Sequence, residues 1–161
     1  TINYTSATIF RNEALIKCGY MDDDWNWSTR TEDLELNFNI IAHGYNGVLI
    51  PELRAYHKAS PSNRNAEILT INGIHGVIWI ILKYYPFIPM VLKLSKIIFL
   101  CIYFSVYERE IFYLKPLLRA LYKSDKMYKN KNKLPYQAVN KVSIPDRWLF
   151  GMSKNINWAG S

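Results

Sequence analysis

The sequence predicts an α/β fold followed by amphipathic α-helices, because its apolar pattern changes near residue 67. Residues 2–10 alternate as a strand does, and residues 48–50 and 53–56 form two further short apolar runs. Between these runs, three apolar residues follow the i, i+4, i+7 spacing of a helix with one buried face: Leu34, Phe38 and Ile41. From residue 68 onward the pattern is helical and largely apolar.

Two helices are predicted within the α/β part, at residues 12–18 and from Thr31 to about His43. Gly19 and Gly44 follow their last residues, and glycine readily adopts the left-handed conformation that ends a helix. Thr31 is a suitable N-cap residue. The first turn of the second helix is acidic, which the helix dipole favours; its acids are Glu32, Asp33 and Glu35.

Three helical segments are predicted in the later part, at residues 68–85, 90–107 and 108–128. Pro86 and Pro89 separate the first two segments. Pro116 is expected to break or kink the third, because proline removes a backbone donor and clashes with the preceding turn.

The segment 90–107 is apolar apart from Lys93 and Lys96. A membrane-spanning helix needs ~20 apolar residues, and the uncharged run 97–107 is shorter than that. We therefore expect these helices to lie in the membrane interface, with the lysines reaching toward the headgroups. The alternative is a span through 87–107.

The charge of the chain is divided unevenly between its halves. Residues 1–82 carry six Lys/Arg and nine Asp/Glu, a net charge of −3, whereas residues 83–161 carry fourteen and four, a net charge of +10. A basic half rich in aromatic and aliphatic residues favours an anionic membrane surface as partner. No nucleic-acid-binding motif accompanies the charge, so we expect no nucleic acid partner. A solvated basic tail explains residues 123–133 equally well.

Three regions are predicted. Residues 1–66 form a catalytic half-domain, residues 67–128 form amphipathic membrane-associating helices, and residues 129–161 form a basic, flexible C-terminal tail. The chain is expected to be the later part of a longer protein. Cys18 and Cys101 provide neither a disulfide framework nor a metal-binding spacing, which fits a reducing, cytosolic setting.

A resemblance to a known family is carried by an ordered series of short motifs. The series is Ser6-Ala7-Thr8-Ile9-Phe10-Arg11, Gly19-Tyr20-Met21-Asp22, Glu32-Asp33-Leu34-Glu35-Leu36, Gly44-Tyr45, Pro51 and Tyr56-His57. In order and spacing it resembles family 2 inverting glycosyltransferases of the GT-A fold over roughly residues 1–60. The resemblance implies the C-terminal portion of a Rossmann-like nucleotide-diphospho-sugar transferase fold. Lys83-Tyr84-Tyr85-Pro86 and the basic helices after it are similar to the membrane-associating extension of bacterial members.

The chain departs from the family pattern at two places. The nucleotide-binding half with its Asp-x-Asp metal motif is absent, and Asp22-Asp23-Asp24 is interpreted as the family's Gly-Phe-Asp-Glu element. Ile71-Asn72 stands where many members carry Arg-Asn, which removes a cation for the donor diphosphate or lipid phosphate.

The resemblance implies that Asp33 is the general base that takes the proton from the acceptor hydroxyl, and that Glu32 positions the acceptor or the helix. The alternative is that the two acids only complete the start of a helix. His57 is placed near the donor diphosphate and a divalent metal, Mg²⁺ or Mn²⁺. A surface or hydrogen-bonded histidine is the equal alternative.

Further residues are candidates for substrate contact. Trp25 and Trp27 are expected to stack on the acceptor, with core packing of one of them as the alternative. Ser6 lies where the backbone can approach a ligand, and Arg54 and Lys58 are candidates for phosphate contact. Two other histidines, His43 and His75, are expected to be structural.

The resemblance thus implies an inverting glycosyltransferase that moves a rhamnose or hexose from a nucleotide-sugar donor to a lipid-linked or surface-glycan acceptor. It would act at the cytoplasmic face of the cell membrane, as a peripheral or monotopic protein. Without the donor-binding half, this chain alone is expected to be inactive. The alternative is a non-catalytic membrane-surface or partner-binding module derived from the same fold.

Overall fold

Helices dominate the part of the chain that the structure describes. This computed structural model describes residues 8–25, 31–48, 50, 52, 56, 66–122, 124–130, 132–139 and 142. Helices account for 72% of these residues, and no strand occurs among them. The described part of the fold is therefore all-α, and the prediction of an α/β, Rossmann-like GT-A fold is wrong.

The predicted strands fail because alternation alone supplies no hydrogen-bonding partner. Residues 8–10, Val48, Ile50 and Tyr56 have no strand structure, and the other residues of these segments lie outside the described ones. Ile9 is 81% exposed and Tyr56 is 98% exposed, so neither contributes to a buried sheet face. A strand gains stability only when its backbone groups pair with a neighbour and one face is covered.

The described elements follow one another in the order α1 (Asn12–Cys18), a 3₁₀ helix (Asp23–Trp25), α2 (Glu32–Ala42), α3 (Ala66–Tyr84), α4 (Phe87–Tyr107), a second 3₁₀ helix (Ile111–Leu114), α5 (Lys115–Leu121), α6 (Ser124–Tyr128) and α7 (Tyr136–Val139). The centre of the fold is α3, because α2, α4, α5 and α6 all pack against it. Every residue of α3 from position 72 to position 81 is buried.

The ends of the first two helices confirm the glycine predictions. Gly19 follows α1 with φ 77°, and Gly44 follows α2 with φ 87°. Both values lie in the left-handed region that favours glycine. Thr31 occupies the N-cap position of α2 as predicted, but its side chain makes no capping hydrogen bond. Instead its Oγ1 accepts a hydrogen bond of 3.0 Å from Trp25 Nε1.

Gly76 allows the start of α2 to lie directly on α3. A Cβ atom at position 76 would be 1.9 Å from Thr31 Oγ1 and 2.7 Å from Thr31 Cβ. These separations are far below van der Waals contact, so only glycine permits this approach. Thr31 is fully buried as a result. The first turn of α2 is thereby fixed between α3 and the Trp25 ring.

The chain after α4 does not form the single kinked helix that was predicted for residues 108–128. Arg109 has φ 56° and ends α4 in a left-handed turn. The second 3₁₀ helix follows, and α5 begins with Pro116 in its first turn. Proline is favourable there because the first N–H groups of a helix have no intrahelical partner. Pro116 therefore opens a helix instead of kinking one.

The described part of the C-terminal region covers the end of α3. The Leu134 N–H donates to Tyr84 O at 2.7 Å, and Asn130 Nδ2 donates to Lys83 O at 3.0 Å. Lys133 Nζ donates to Leu82 O at 2.7 Å. The last carbonyls of a helix lack intrahelical donors, and these three contacts satisfy them. Residues 143–161 of the predicted tail lie outside the described ones.

Replacing Gly76 tests the contact between α2 and α3. Helix propensity alone predicts that Gly76→Ala stabilises the protein by about 1 kcal/mol. The short contact with Thr31 predicts the opposite sign, a loss of about 2 kcal/mol in the free energy of unfolding. Urea denaturation followed by circular dichroism measures the free energy of unfolding of the native protein and of the variant.

Gly19→Ala is the matched control, since a Cβ at Gly19 meets no atom within 4 Å of the described structure. Its free energy of unfolding should fall by about 1 kcal/mol, the cost of placing alanine in a left-handed backbone conformation. A Gly76→Ala variant as stable as the native protein would contradict the close approach of the two helices.

Candidate functional site

A buried ion-pair cluster at the C-terminal end of α3 joins three parts of the chain. Lys83 Nζ lies 2.6 Å from Asp22 Oδ2, in the loop after α1, and 2.7 Å from Glu35 Oε1, on α2. The Tyr84 hydroxyl donates to the same Glu35 oxygen at 2.5 Å. The side chain of Glu35 is 1% exposed and that of Lys83 is 12% exposed. We call these four residues the Lys83 cluster.

The charges in the Lys83 cluster compensate one another. A buried carboxylate is strongly unfavourable unless a cation and further donors satisfy it, and Glu35 Oε1 receives two donors. Burial raises the pKa of the Tyr84 hydroxyl, and the adjacent Glu35 charge raises it further. The hydroxyl is therefore a permanent donor at physiological pH. The Lys83 ammonium also lies 5.3 Å from the centre of the Trp25 ring, within the range of a cation–π contact.

An open cleft of about 780 Å³ lies beside the Lys83 cluster. One wall is the loop of residues 18–23, and a second is formed by Asn39 and His43 in the last turns of α2. Lys83 and residues between 125 and 132 complete the cleft. The Lys83 cluster therefore anchors the loop that forms one wall of this cleft.

Hydrogen bonds connect the walls of the cleft to one another. Asn39 Nδ2 donates to Cys18 O at 3.0 Å, which joins α2 to the end of α1. The His43 ring lies between two partners, Asn39 O at 2.8 Å from Nδ1 and Asn132 Nδ2 at 3.1 Å from Nε2. A carbonyl can only accept, so the proton of the neutral ring is assigned to Nδ1 and Nε2 accepts from the amide. His43 is structural, as the sequence predicts.

The predicted acid pair lies at the other end of α2. Glu32 and Asp33 occupy its first turn, and both side chains are half-buried. Burial raises the pKa of the Glu32 carboxyl, hydrogen bonding to the backbone N–H groups of Glu32 and Thr31 lowers it, and the Asp33 charge raises it; the net shift is upward. Glu32 Oε2 is buried and receives no hydrogen bond from the described residues. The acid pair does not line the cleft, which begins about 9 Å further along the helix axis at Asn39.

The predicted ligand-contacting residues fall into two groups. Trp25 is 4% exposed, and its ring makes an edge contact with Trp79 at 5.4 Å between centroids, which are the surroundings of a core residue. The others lie outside the described residues: Ser6, Trp27, Arg54, His57 and Lys58. No group of three or more His, Cys, Asp or Glu that could hold a metal ion occurs within the described part of the chain. The Mg²⁺ or Mn²⁺ site at His57 therefore stays a prediction.

Sequence reasoning missed the Lys83 cluster. Glu35 was explained by the helix dipole, and Lys83 belonged to a motif attributed to membrane association. One signal was available: Glu35 stands directly between Leu34 and Leu36, which are both buried. A charged side chain in such surroundings requires a partner. The partner itself is 48 residues away, and no sequence spacing identifies it.

A second surface is the outer face of α4. Its inner face is buried through Met90, Ile97 and Cys101. Its outer face is exposed and apolar, and includes Ile88, Leu92, Phe99, Ile102 and Val106. Among the described helices, α4 has the length and apolar composition to cross a membrane, and 17% of its most apolar stretch is buried. That test is met by core helices too, so it does not by itself place α4 in a bilayer.

Comparison with known proteins found no matching family model, no matching curated protein and no matching solved structure. The resemblance to family 2 glycosyltransferases therefore stays a prediction from the motifs, and the function has to be argued from the residues and their geometry.

Removing the cation of the Lys83 cluster should destabilise the fold. Lys83→Met leaves Glu35 buried without its ion partner, and we expect the free energy of unfolding to fall by about 3 kcal/mol. Urea denaturation of the purified chain measures the change.

Lys115→Met is the matched control. Lys115 forms an ion pair with Glu67 at 2.9 Å, but its side chain is 59% exposed. Solvent-exposed pairs contribute little, so the free energy of unfolding should change by less than about 0.5 kcal/mol. Equal effects of the two substitutions would show that the buried pair contributes no more to the free energy of unfolding than the exposed pair does.

Proposed function

We propose that this chain is the acceptor-side part of an inverting glycosyltransferase. It would work with a nucleotide-sugar donor and transfer the sugar, a rhamnose or a hexose, to a lipid-linked or growing surface glycan. The observation that carries the proposal is the fixed acid pair at the start of α2. Both acids are half-buried in the first turn of the helix, and Glu32 Oε2 is buried without a donor from the described residues.

The two acids suit different parts of one step. Inverting transfer requires a base that removes the proton from the acceptor hydroxyl while its oxygen attacks the anomeric carbon. Asp33 is assigned as this base. Glu32 is assigned to position the acceptor or the helix start, because its carboxyl lies in the same helical turn as that of Asp33.

The start of α2 is rigid enough for this role. Thr31 precedes the acid pair directly, and it is held between the Trp25 indole and the bare backbone of Gly76. A general base contributes most when its position is fixed before the substrate binds, because no conformational entropy is then lost in ordering it during the reaction.

The donor diphosphate needs positive charge as it departs. The family resemblance assigns this to a divalent metal near His57 and to a donor-binding half outside this chain. The described residues form no metal site among themselves, so no step is assigned through a metal. A bound Mg²⁺ or Mn²⁺ would stabilise the charge that develops on the leaving diphosphate.

The outer face of α4 supports a location at a membrane surface. An exposed apolar face about 30 Å long is larger than soluble monomers usually tolerate. A spanning orientation would put the Lys96 ammonium near the bilayer centre, since Lys96 is close to the midpoint of Phe87–Tyr107, at a cost of ~3 kcal/mol. It would also separate the buried face of α4 from α3. An orientation in the plane of the interface avoids both costs, because Lys96 then lies at the edge of the apolar face.

A second candidate function is a non-catalytic module that binds a membrane surface. The outer face of α4 favours it as strongly as it favours a membrane-bound enzyme. The two functions differ in the acid pair, which only the enzyme requires.

Asp33→Asn tests the enzyme in the protein encoded by the complete reading frame. Transfer should fall by ~10²- to 10⁴-fold, because the amide cannot take a proton. Glu13→Gln is the control, since Glu13 is an exposed acid in the first turn of α1. The initial rate of sugar transfer and the melting temperature are measured for each variant. Transfer at the native rate by a folded Asp33→Asn variant would remove Asp33 from the mechanism.

Flotation with vesicles that contain phosphatidylglycerol tests the orientation of α4. The native chain should float at low salt and, because apolar burial is not screened, should retain part of its binding at high salt. The double substitution of Ile98→Glu and Ile102→Glu should abolish flotation.

Ile16→Glu is the control for flotation, because Ile16 is an equally exposed isoleucine on α1. It should float like the native chain. Flotation that survives the α4 substitutions would contradict the membrane role of this face.

A further inference from the structure

The cleft beside the Lys83 cluster has an aromatic rim held in an unusual backbone conformation. Tyr20 lines the cleft, is 54% exposed and has φ 62°. It directly follows Gly19, whose φ is also positive, and its N–H donates to Leu15 O at 3.0 Å. A left-handed backbone costs a non-glycine residue ~1–2 kcal/mol, and such residues occur more often at binding sites than elsewhere. A glycine at position 20 would adopt this backbone conformation without strain. The presence of tyrosine there therefore suggests that its ring contributes to binding.

The polar groups of the cleft are arranged as hydrogen-bond acceptors. Three asparagine side chains line it, and the NH₂ group of each already donates within the protein. Asn39 donates to Cys18 O, Asn130 to Lys83 O and Asn132 to His43 Nε2. Each amide therefore has its oxygen left to accept, since no donor from the described residues is bonded to it. A ligand that suits this wall must bring its own hydroxyl or amine donors.

The formal charges of the described residues that line the cleft cancel. Among these residues, three acids, Asp22, Asp23 and Asp125, are balanced by three lysines, Lys83, Lys126 and Lys129. A phosphate would meet the carboxylates, and a polyamine would meet the ammonium groups. A neutral molecule with many hydroxyls is repelled by neither the carboxylates nor the ammonium groups. A hydroxyl can donate to an amide oxygen or a carboxylate, and it can accept from an ammonium group.

We propose that this cleft binds a neutral oligosaccharide. The apolar face of a sugar ring stacks on Tyr20, while the sugar hydroxyls donate to the amide oxygens of Asn39, Asn130 and Asn132. A sugar ring has an apolar face and a polar edge, so it can stack on an exposed aromatic side chain while its hydroxyls reach acceptors beside that side chain. The volume of about 780 Å³ is large enough for more than a single small group.

The position of the cleft relates it to the acid pair, and this step rests on the proposed function. Glu32, Asn39 and His43 are spaced i, i+7 and i+11, which places them on one face of α2. The cleft begins about 10 Å along the helix axis from Glu32. An extended acceptor can therefore have its reacting sugar at the acid pair and its preceding sugars in the cleft. The enzyme would then prefer an acceptor of several sugars over a single sugar.

The binding experiment uses the 161-residue chain without any donor. Neutral trisaccharides of glucose, galactose or rhamnose are titrated into the ¹⁵N-labelled chain, and chemical-shift changes are followed. At least one should shift the backbone signal of Tyr20 and the side-chain amides of Asn39, Asn130 and Asn132. Pyrophosphate and spermidine serve as charged probes and should not compete.

Tyr20→Gly is the decisive variant, because it removes the ring and relieves the left-handed strain at once. It should fold at least as stably as the native chain and bind the trisaccharide at least tenfold more weakly. Tyr136→Ala removes an equally exposed tyrosine from α7, which does not line the cleft, and should leave affinity unchanged. The inference is overturned if no trisaccharide binds, if Tyr20→Gly binds as the native chain does, or if pyrophosphate or spermidine occupies the cleft instead.

Kinetics of the complete protein keep the two proposals distinct. Tyr20→Gly should raise the KM for a trisaccharide acceptor at least fivefold and leave kcat unchanged. An unchanged KM overturns the cleft as an acceptor site while transfer continues and the proposed function stands. A complete protein that transfers no sugar, although its cleft binds trisaccharides, overturns the proposed function and leaves the saccharide site in place.

Discussion

The contact between Lys83 and Glu35 is the constraint on which the rest of this structure depends. Glu35 is an acid on the buried side of α2, and it is stable there only because Lys83 and Tyr84 both donate to it. The same ammonium group also holds Asp22, so the loop after α1 cannot move away from α3 without exposing an uncompensated charge. One ammonium group therefore ties both α2 and the loop, which form two walls of the cleft, to the end of α3.

The two ends of α2 are held in different ways. Its start is fixed by steric fit, because Thr31 rests on Gly76 and accepts a hydrogen bond from Trp25. Its end is fixed by hydrogen bonds that run from Asn39 through His43 to the C-terminal region. The acid pair and the cleft thus belong to one rigid helix, with a constant distance between them. A sugar acceptor that reaches from one end to the other would find both ends already in place.

The sequence predicted local structure well and long-range structure poorly, for physical reasons. Helix periodicity and the glycines at 19 and 44 correctly located α1 and α2, since those signals act within a few residues. The strand predictions failed because a strand depends on a partner that local alternation does not reveal. The Lys83 cluster was missed because its members are separated by 48 and 61 residues. The functional role of the acid pair stays a prediction from the order of motifs. The cleft was not predicted, because its asparagines come from α2 and from the segment after α6.

Amide hydrogen exchange in Glu35→Gln, compared with the native chain, tests the central constraint most directly. Loss of this charge should free Lys83 from α2, so residues 19–25 and the turn of α2 around Glu35 should exchange faster together. The amides in the C-terminal half of α4 should be unaffected, because that half packs against the second 3₁₀ helix, where Phe104 contacts Tyr113. If exchange at residues 19–25 were unchanged in Glu35→Gln, the buried ion pair would not be what holds the cleft in place.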